Sequence, residues 1–174
     1  GSQFSTISFL LFIFFNLYLM YIRLSIISMQ VLNLPKYPLK LKKEGNKTFV
    51  FDPIRKKYLV LNPEEWVRQN FIQFLIKEKG YPASLMAVEM GIDVLNTKKR
   101  CDIVLFNNEG KAHIIVECKA PSVKISQITF DQIARYNMTL KTNLLIVTNG
   151  LNHFTCILDH KNKCYEFLKE IPKY

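Results

Sequence analysis

Residues 112 to 121, "AHIIVECKAP", restrict what this chain can fold into more than any other stretch. Ile114, Ile115 and Val116 in succession favour a strand with little exposure, and Pro121 ends it. Side chains alternate along a strand, so Glu117 and Lys119 share one face while Cys118 takes the other. An apolar strand that closes on two opposite charges needs either a partner for them or a task.

The preceding run supplies one. "CDIVLF" reads as a strand and "NNEGK" as a turn, so residues 101 to 119 form a β-hairpin. The start of one strand then lies beside the end of the other, and Asp102 comes close to Glu117 and Lys119. Two carboxylates and an amine at one sheet end suit Mg²⁺, a hard cation held by one or two carboxylates with several waters. Asp102, Glu117 and the main-chain carbonyl of Cys118 are candidate ligands. Lys119 is a candidate to orient an attacking water or stabilise a pentavalent phosphorus transition state. A cross-strand salt bridge on a solvated sheet face explains the same residues. Spacing alone does not choose, since Glu109-Gly110-Lys111 repeats it in a turn.

The rest of the pattern is a mixed α/β sheet with helices packed on it. Residues 30 to 61 read as an extended lead-in, with "KTFVF" and "KKYLVL" joined by the turn "DPIRK". Asn62 as N-cap, Pro63 at N1 and Glu65 at N3 predict a capping box. Val67, Phe71, Phe74 and Leu75 then recur at helical spacing. "SLMAVEM" predicts a strand and "TKKR" a basic loop. A helix is expected over "ISQITFDQIARYNMTLK", with Ile125, Ile128, Gln132 and Tyr136 along one side, then the strands "NLLIVT", "HFTCILD" and "CYEFLKE".

The 174 residues suffice for one domain with a sizeable core. The net charge of +10 favours a polyanionic partner, or serves solubility alone. Lys98, Lys99 and Arg100, with Arg68 and Lys124, are candidate DNA-phosphate contacts; Lys40, Lys42, Lys43 and Arg55 to Lys57 form further basic clusters. Arg68 is also placed for a surface pair with Glu65. Four cysteines without a C-x-x-C pair argue against zinc and for reduced thiols in a cytoplasmic setting. His113, His153 and His160 lack ligand spacing, and no nucleotide-binding or serine-hydrolase motif occurs. Residues 7 to 28 are almost wholly apolar. They read as an upstream extension ahead of a working start at Met29, or as a membrane anchor.

"RCDIVLF", "VECKAP", "FDQIARYN" and "LIVTNG" together resemble the PD-(D/E)XK nuclease superfamily. The likeness is strongest to the N-terminal nuclease domain of type I restriction enzyme restriction subunits and its stand-alone relatives. Asp102 matches the first acid, Glu117 and Lys119 the E-x-K, Gln132 and Tyr136 the following Q-x-x-x-Y, and Glu65 a helical glutamate that assists metal binding. Cys101 departs from the usual proline. The resemblance implies a restriction-endonuclease-like αβββαβ core over residues 62–174, with a β-hairpin extension over 29–61 and the leader over 1–28. It implies Mg²⁺-dependent cleavage of DNA, endonucleolytic in mode, with Mn²⁺ able to substitute. The expected partners are DNA, a motor or specificity subunit, and a second copy of the chain; a membrane is expected only if the leader is genuine. The motor that follows the nuclease in such subunits is not within the 174 residues, so a stand-alone nuclease part is expected. A non-catalytic nucleic-acid-binding or assembly module on the same fold is the alternative.

Overall fold

The computed structural model describes residues 29–94 and 97–174; the expected apolar leader lies outside them. The compact unit described here runs Leu32–Tyr174. Its lead-in holds three strands rather than two: β1 (Leu41–Glu44), β2 (Lys47–Asp52) and β3 (Lys57–Val60), antiparallel in that order. Helix α1 (Pro63–Lys77) follows, begun as expected by the Asn62 side chain accepting the Glu65 N–H at 2.7 Å. Gly80, at φ +79°, adopts a left-handed conformation just after the helix.

A six-stranded sheet is the centre of the unit, in the order β4 (Met86–Val94), β5 (Thr97–Phe106), β6 (Ala112–Cys118), β7 (Leu144–Thr148), β8 (His153–Asp159) and β9 (Cys164–Leu168). Only β6 and β7 are parallel. Parallel neighbours need a crossover, and α2 (Gln127–Met138) provides it. All five residues of β7 are buried, as a central strand covered on both faces requires.

The two helices divide the core. Val67, Phe71, Ile72 and Leu75 of α1 pack with Ile103, Leu105, Ile114, Val116, Cys118 and Ile146. Phe130 and Ala134 of α2 pack with Val104, Ile115, Leu145 and Val147 on the other layer. Burying a side chain such as Phe71 or Ile72 contributes about 1.5–3 kcal/mol. The order of elements from α1 to β7 is the αβββαβ core of the restriction-endonuclease-like class.

One local expectation is corrected. "TKKR" is not a loop: Thr97 to Arg100 extend β5, pairing with β4 as far as Val94↔Thr97. Helix α2 buries Phe130, Ala134 and Asn137, whereas Ile128 is 72% exposed and Gln132 and Tyr136 also face solvent. Ile128, Gln132 and Tyr136 thus lie along one side, as read, and it is the exposed side. Among the cysteines, Cys101, Cys118 and Cys156 are buried thiols and Cys164 is exposed; all four are free.

Candidate active site

The β5–β6 ladder shifts register between Leu105 and Phe106 and then runs in step from Leu105↔Ile114 to Ile103↔Val116. One residue further, the Asp102 side chain replaces a main-chain partner: its Oδ2 accepts the Cys118 N–H at 2.7 Å. On the other side, β4 pairs with β5 at Val88↔Ile103 and Met90↔Cys101 but skips Glu89, whose φ is +55°. A left-handed backbone at a non-glycine residue costs of order 1–3 kcal/mol and persists only where its surroundings enforce it. Here Glu89 is held by Arg68 at 2.9 Å and by Arg100. Asp102 therefore sits where the sheet is irregular on both flanks.

Glu117 and Lys119 lie beside it. Their side chains form a pair at 3.4 Å and are 19% and 31% exposed. Burial, and then the Asp102 carboxylate, push the Glu117 carboxyl up to about 7, although Lys119 pulls the other way. Cys118 points to the opposite layer, fully buried, and burial holds its thiol well above the usual range.

Arg68 is the hub of the site. It is 4% exposed and reaches Asp102 Oδ1 at 2.9 Å, Glu89 at 2.9 Å, Glu64 at 3.2 Å, and Glu65. Burial works against its charge, but Asp102 and Glu65 more than offset this and hold the guanidinium above its ordinary range. The expected surface pair with Glu65 exists, but it is buried, because α1 turns a polar stripe (Glu65, Arg68, Gln69, Asn70) inward at its first turns. Glu65 does not reach Asp102 directly. Its carboxylate accepts from Arg55 at 2.7 Å, Gln69 at 2.9 Å, and Arg68. Arg55 also binds the fully buried Asp52 at 2.6 Å. Alternating charges thus run Asp52–Arg55–Glu65–Arg68–Asp102, tying β2 through α1 to β5.

The remaining predicted residues are dispersed. Among the described residues no hydrogen bond joins Gln132 or Tyr136 to the acidic pair; the Tyr136 ring lies 3.7 Å beneath Lys99 Nζ. Lys99 also donates to Thr139 Oγ1. Lys98, Arg100 and Lys124 are exposed. Two carboxylates went unread in the sequence, Glu64 and Glu89. Burial, and then Asp102, raise the Glu64 carboxyl, so it shares the field of the site. Its signal was the first acid of "PEEW", four residues before Arg68. That of Glu89 was a lone charge within the apolar "SLMAVEM", the same anomaly that marked Glu117.

The donor chemistry fits a hard cation. Asp102, Glu117 and the Cys118 carbonyl offer oxygen only, and burial and then Asp102 raise the Glu117 carboxyl more than Lys119 lowers it. Among the described residues no group of three or more His, Cys, Asp and Glu side chains is arranged to hold a metal by itself. A two-carboxylate site that keeps waters is what these donors suit, and Asp102 Oδ1 is paired with Arg68.

The family model for the type I restriction enzyme R protein N terminus matches residues 63–172. The chain belongs to this family. The match begins at the first residue of α1 and takes in every element through β9, so the acidic pair and Lys119 lie inside an R-protein N-terminal domain of nuclease-like kind. A solved fragment assigned as the HsdR subunit of a type I restriction enzyme from Vibrio vulnificus YJ016 is similar over 65% of this chain, at 20% identity and a TM-score of 0.46. The chain spans 24% of that fragment's length. No curated protein matches it.

Proposed function

We propose that this R-protein N-terminal domain hydrolyses DNA phosphodiesters with a divalent cation. The supporting observation is the meeting of Asp102, Glu117 and Lys119 where β5 and β6 part. Asp102, Glu117 and the Cys118 carbonyl would hold Mg²⁺, or Mn²⁺ in its place. When bound, the ion supplies a water of lowered pKa and neutralises phosphate charge. Lys119, partly buried against Glu117, orients the attacking water and offsets charge developing on the phosphate oxygens. Arg68 keeps Asp102 in place, while Glu65 positions Arg68; a bound ion would compete with Arg68 for the Asp102 carboxylate. Glu64 adds a carboxylate at the margin. Lys98, Arg100 and Lys124 contact phosphates, and Gln132 and Tyr136 contribute from the exposed side of α2. The mode is endonucleolytic and the setting is cytoplasmic restriction, repair or recombination, with a motor or specificity subunit, or a second copy, as partner. Among the described residues no helix is long and apolar enough to cross a membrane.

The Arg68 hold on Asp102 favours a second reading, a DNA-binding or assembly module that does not cleave. Supercoiled plasmid incubated with Mg²⁺, Mn²⁺ or EDTA separates the two. Ion-dependent nicking by the wild type, abolished in Lys119→Ala at unchanged melting temperature, is the expected result. Equal cleavage by both proteins would remove Lys119 from the chemistry. Retained DNA binding with no cleavage under any ion would establish the second reading.

A further inference from the structure

The sheet of β1 to β3 has two unlike faces. Val50 and Asp52, both fully buried, mark the inner one. The outer face carries Lys42, Phe49 and Val60 in one cross-strand row and Phe51 and Tyr58 in the next, with Lys40 beside Phe51. Tyr58 is 39% exposed and Val60 48%. The Phe51 and Tyr58 rings meet edge to face at 5.3 Å. Lys42 Nζ lies 4.5 Å from the Tyr58 ring centre and 5.4 Å from that of Phe49, and Lys40 Nζ lies 5.7 Å from that of Phe51. Lys42 also pairs with Glu44 at 2.7 Å. Residues 40 to 60 hold seven basic and two acidic side chains, and Asp52 and Arg55 neutralise one of each.

We propose that this outer face binds single-stranded DNA. Aromatic rings on a sheet offer stacking surfaces to unpaired bases, and flanking ammonium groups take the phosphates. In this protein each ring already carries a cation on or near its face. A base that stacks on Tyr58 displaces the Lys42 ammonium, which moves to the adjoining phosphate. Duplex DNA hides its base faces and would use the lysines alone, so the rings select the single strand. Charge complementarity commits the face to a polyanion, and the rings commit it to one with exposed bases. The inner face of the same sheet is tied through Asp52, Arg55, Glu65 and Arg68 to Asp102. A strand held outside is therefore held by an element fixed to the acidic centre. The proposal extends the DNA-acting reading above.

Fluorescence anisotropy in EDTA tests it, using labelled oligothymidylate and a duplex of equal length. Tighter binding of the single strand by wild type is expected. Tyr58→Ala should weaken it about tenfold, the loss of one stacked base, while duplex affinity holds and Tyr58→Phe restores the single-strand value. Lys42→Gln should lower the salt slope for the single strand by about one. Val60→Glu, on the same exposed face, gives a second route should Tyr58→Ala fold poorly, and should also weaken the single strand. Unchanged affinity in Tyr58→Ala and Val60→Glu, or an equal loss for duplex, would overturn the proposal. So would tighter binding of oligouridylate than of oligothymidylate, or Tyr58-dependent binding to phosphatidylserine vesicles alone. Binding without cleavage would leave this proposal standing and sink only the catalytic reading; cleavage with single-strand affinity indifferent to Tyr58 would do the reverse.

Discussion

Arg68→Ala should unfold the protein at a much lower temperature, and a divalent cation should restore part of the loss. Arg68 is 4% exposed and serves four carboxylates, of which Glu65 and Asp102 are 7% and 14% exposed at the side chain. Removing one member of a buried ionic cluster costs about 3–5 kcal/mol, because the remaining charges stay buried without compensation. Glu64, with a side chain 44% exposed, adds little, being screened by water. In a unit of this size each kcal/mol shifts the melting temperature by roughly 3 °C, so a fall of about 10–15 °C is expected. The carboxylates then repel one another, which a divalent ion relieves. Thermal melts across a Ca²⁺ or Mg²⁺ titration should therefore show a larger stabilisation in the variant than in wild type, where an ion would first have to displace Arg68 from Asp102. A drop of only a few degrees, or equal ion responses in the two proteins, would refute the claim that Arg68 stands where the cation binds.

Asn62→Ala should cost about 1 kcal/mol in urea unfolding and Asn62→Gly only a few tenths, since the Asn62 side chain accepts the Glu65 N–H at the start of α1. His153 gives a pH test. Its Nδ1 accepts from Thr148, its Nε2 faces the Asn33 carbonyl, and burial holds it below the ordinary value of 6.5. The unfolded chain takes up that proton first, so this contribution is complete above about pH 6.5 and is lost on acidification. Wild type should lose its margin over His153→Gln between pH 7 and 5.5; Glu117, raised to about 7, acts in the opposite sense and cancels in the comparison. A margin that does not change with pH would contradict the burial argument.

The acidic pair was readable because strand alternation and a short hairpin leave few choices. Once "CDIVLF" and "VECK" are antiparallel neighbours, Asp102 must meet Glu117. Arg68 was not readable in the same way. Helical periodicity marks an apolar stripe, and the first turns of α1 bury a polar one whose justification, Asp52 and Asp102, comes from distant elements. On α2 the sequence placed Ile128, Gln132 and Tyr136 along one side, and that side faces solvent, but spacing did not say that Phe130 and Ala134 would be the residues packed on the sheet. "TKKR" looked like a loop because its charges need no burial; it is a strand because β4 continues to offer a partner beyond the core. The lead-in was read as a hairpin because "KLKKE" lacks β-prone residues, yet it supplies the third strand through its backbone alone.

The most direct test is anomalous diffraction from a crystal soaked in Mn²⁺. One peak is predicted in contact with a carboxylate oxygen of both Asp102 and Glu117, at roughly 2.0–2.2 Å, with the Arg68 guanidinium moved off Oδ1. A crystal at saturating Mn²⁺ with no peak there, and with Arg68 still bound to Asp102, would contradict the account.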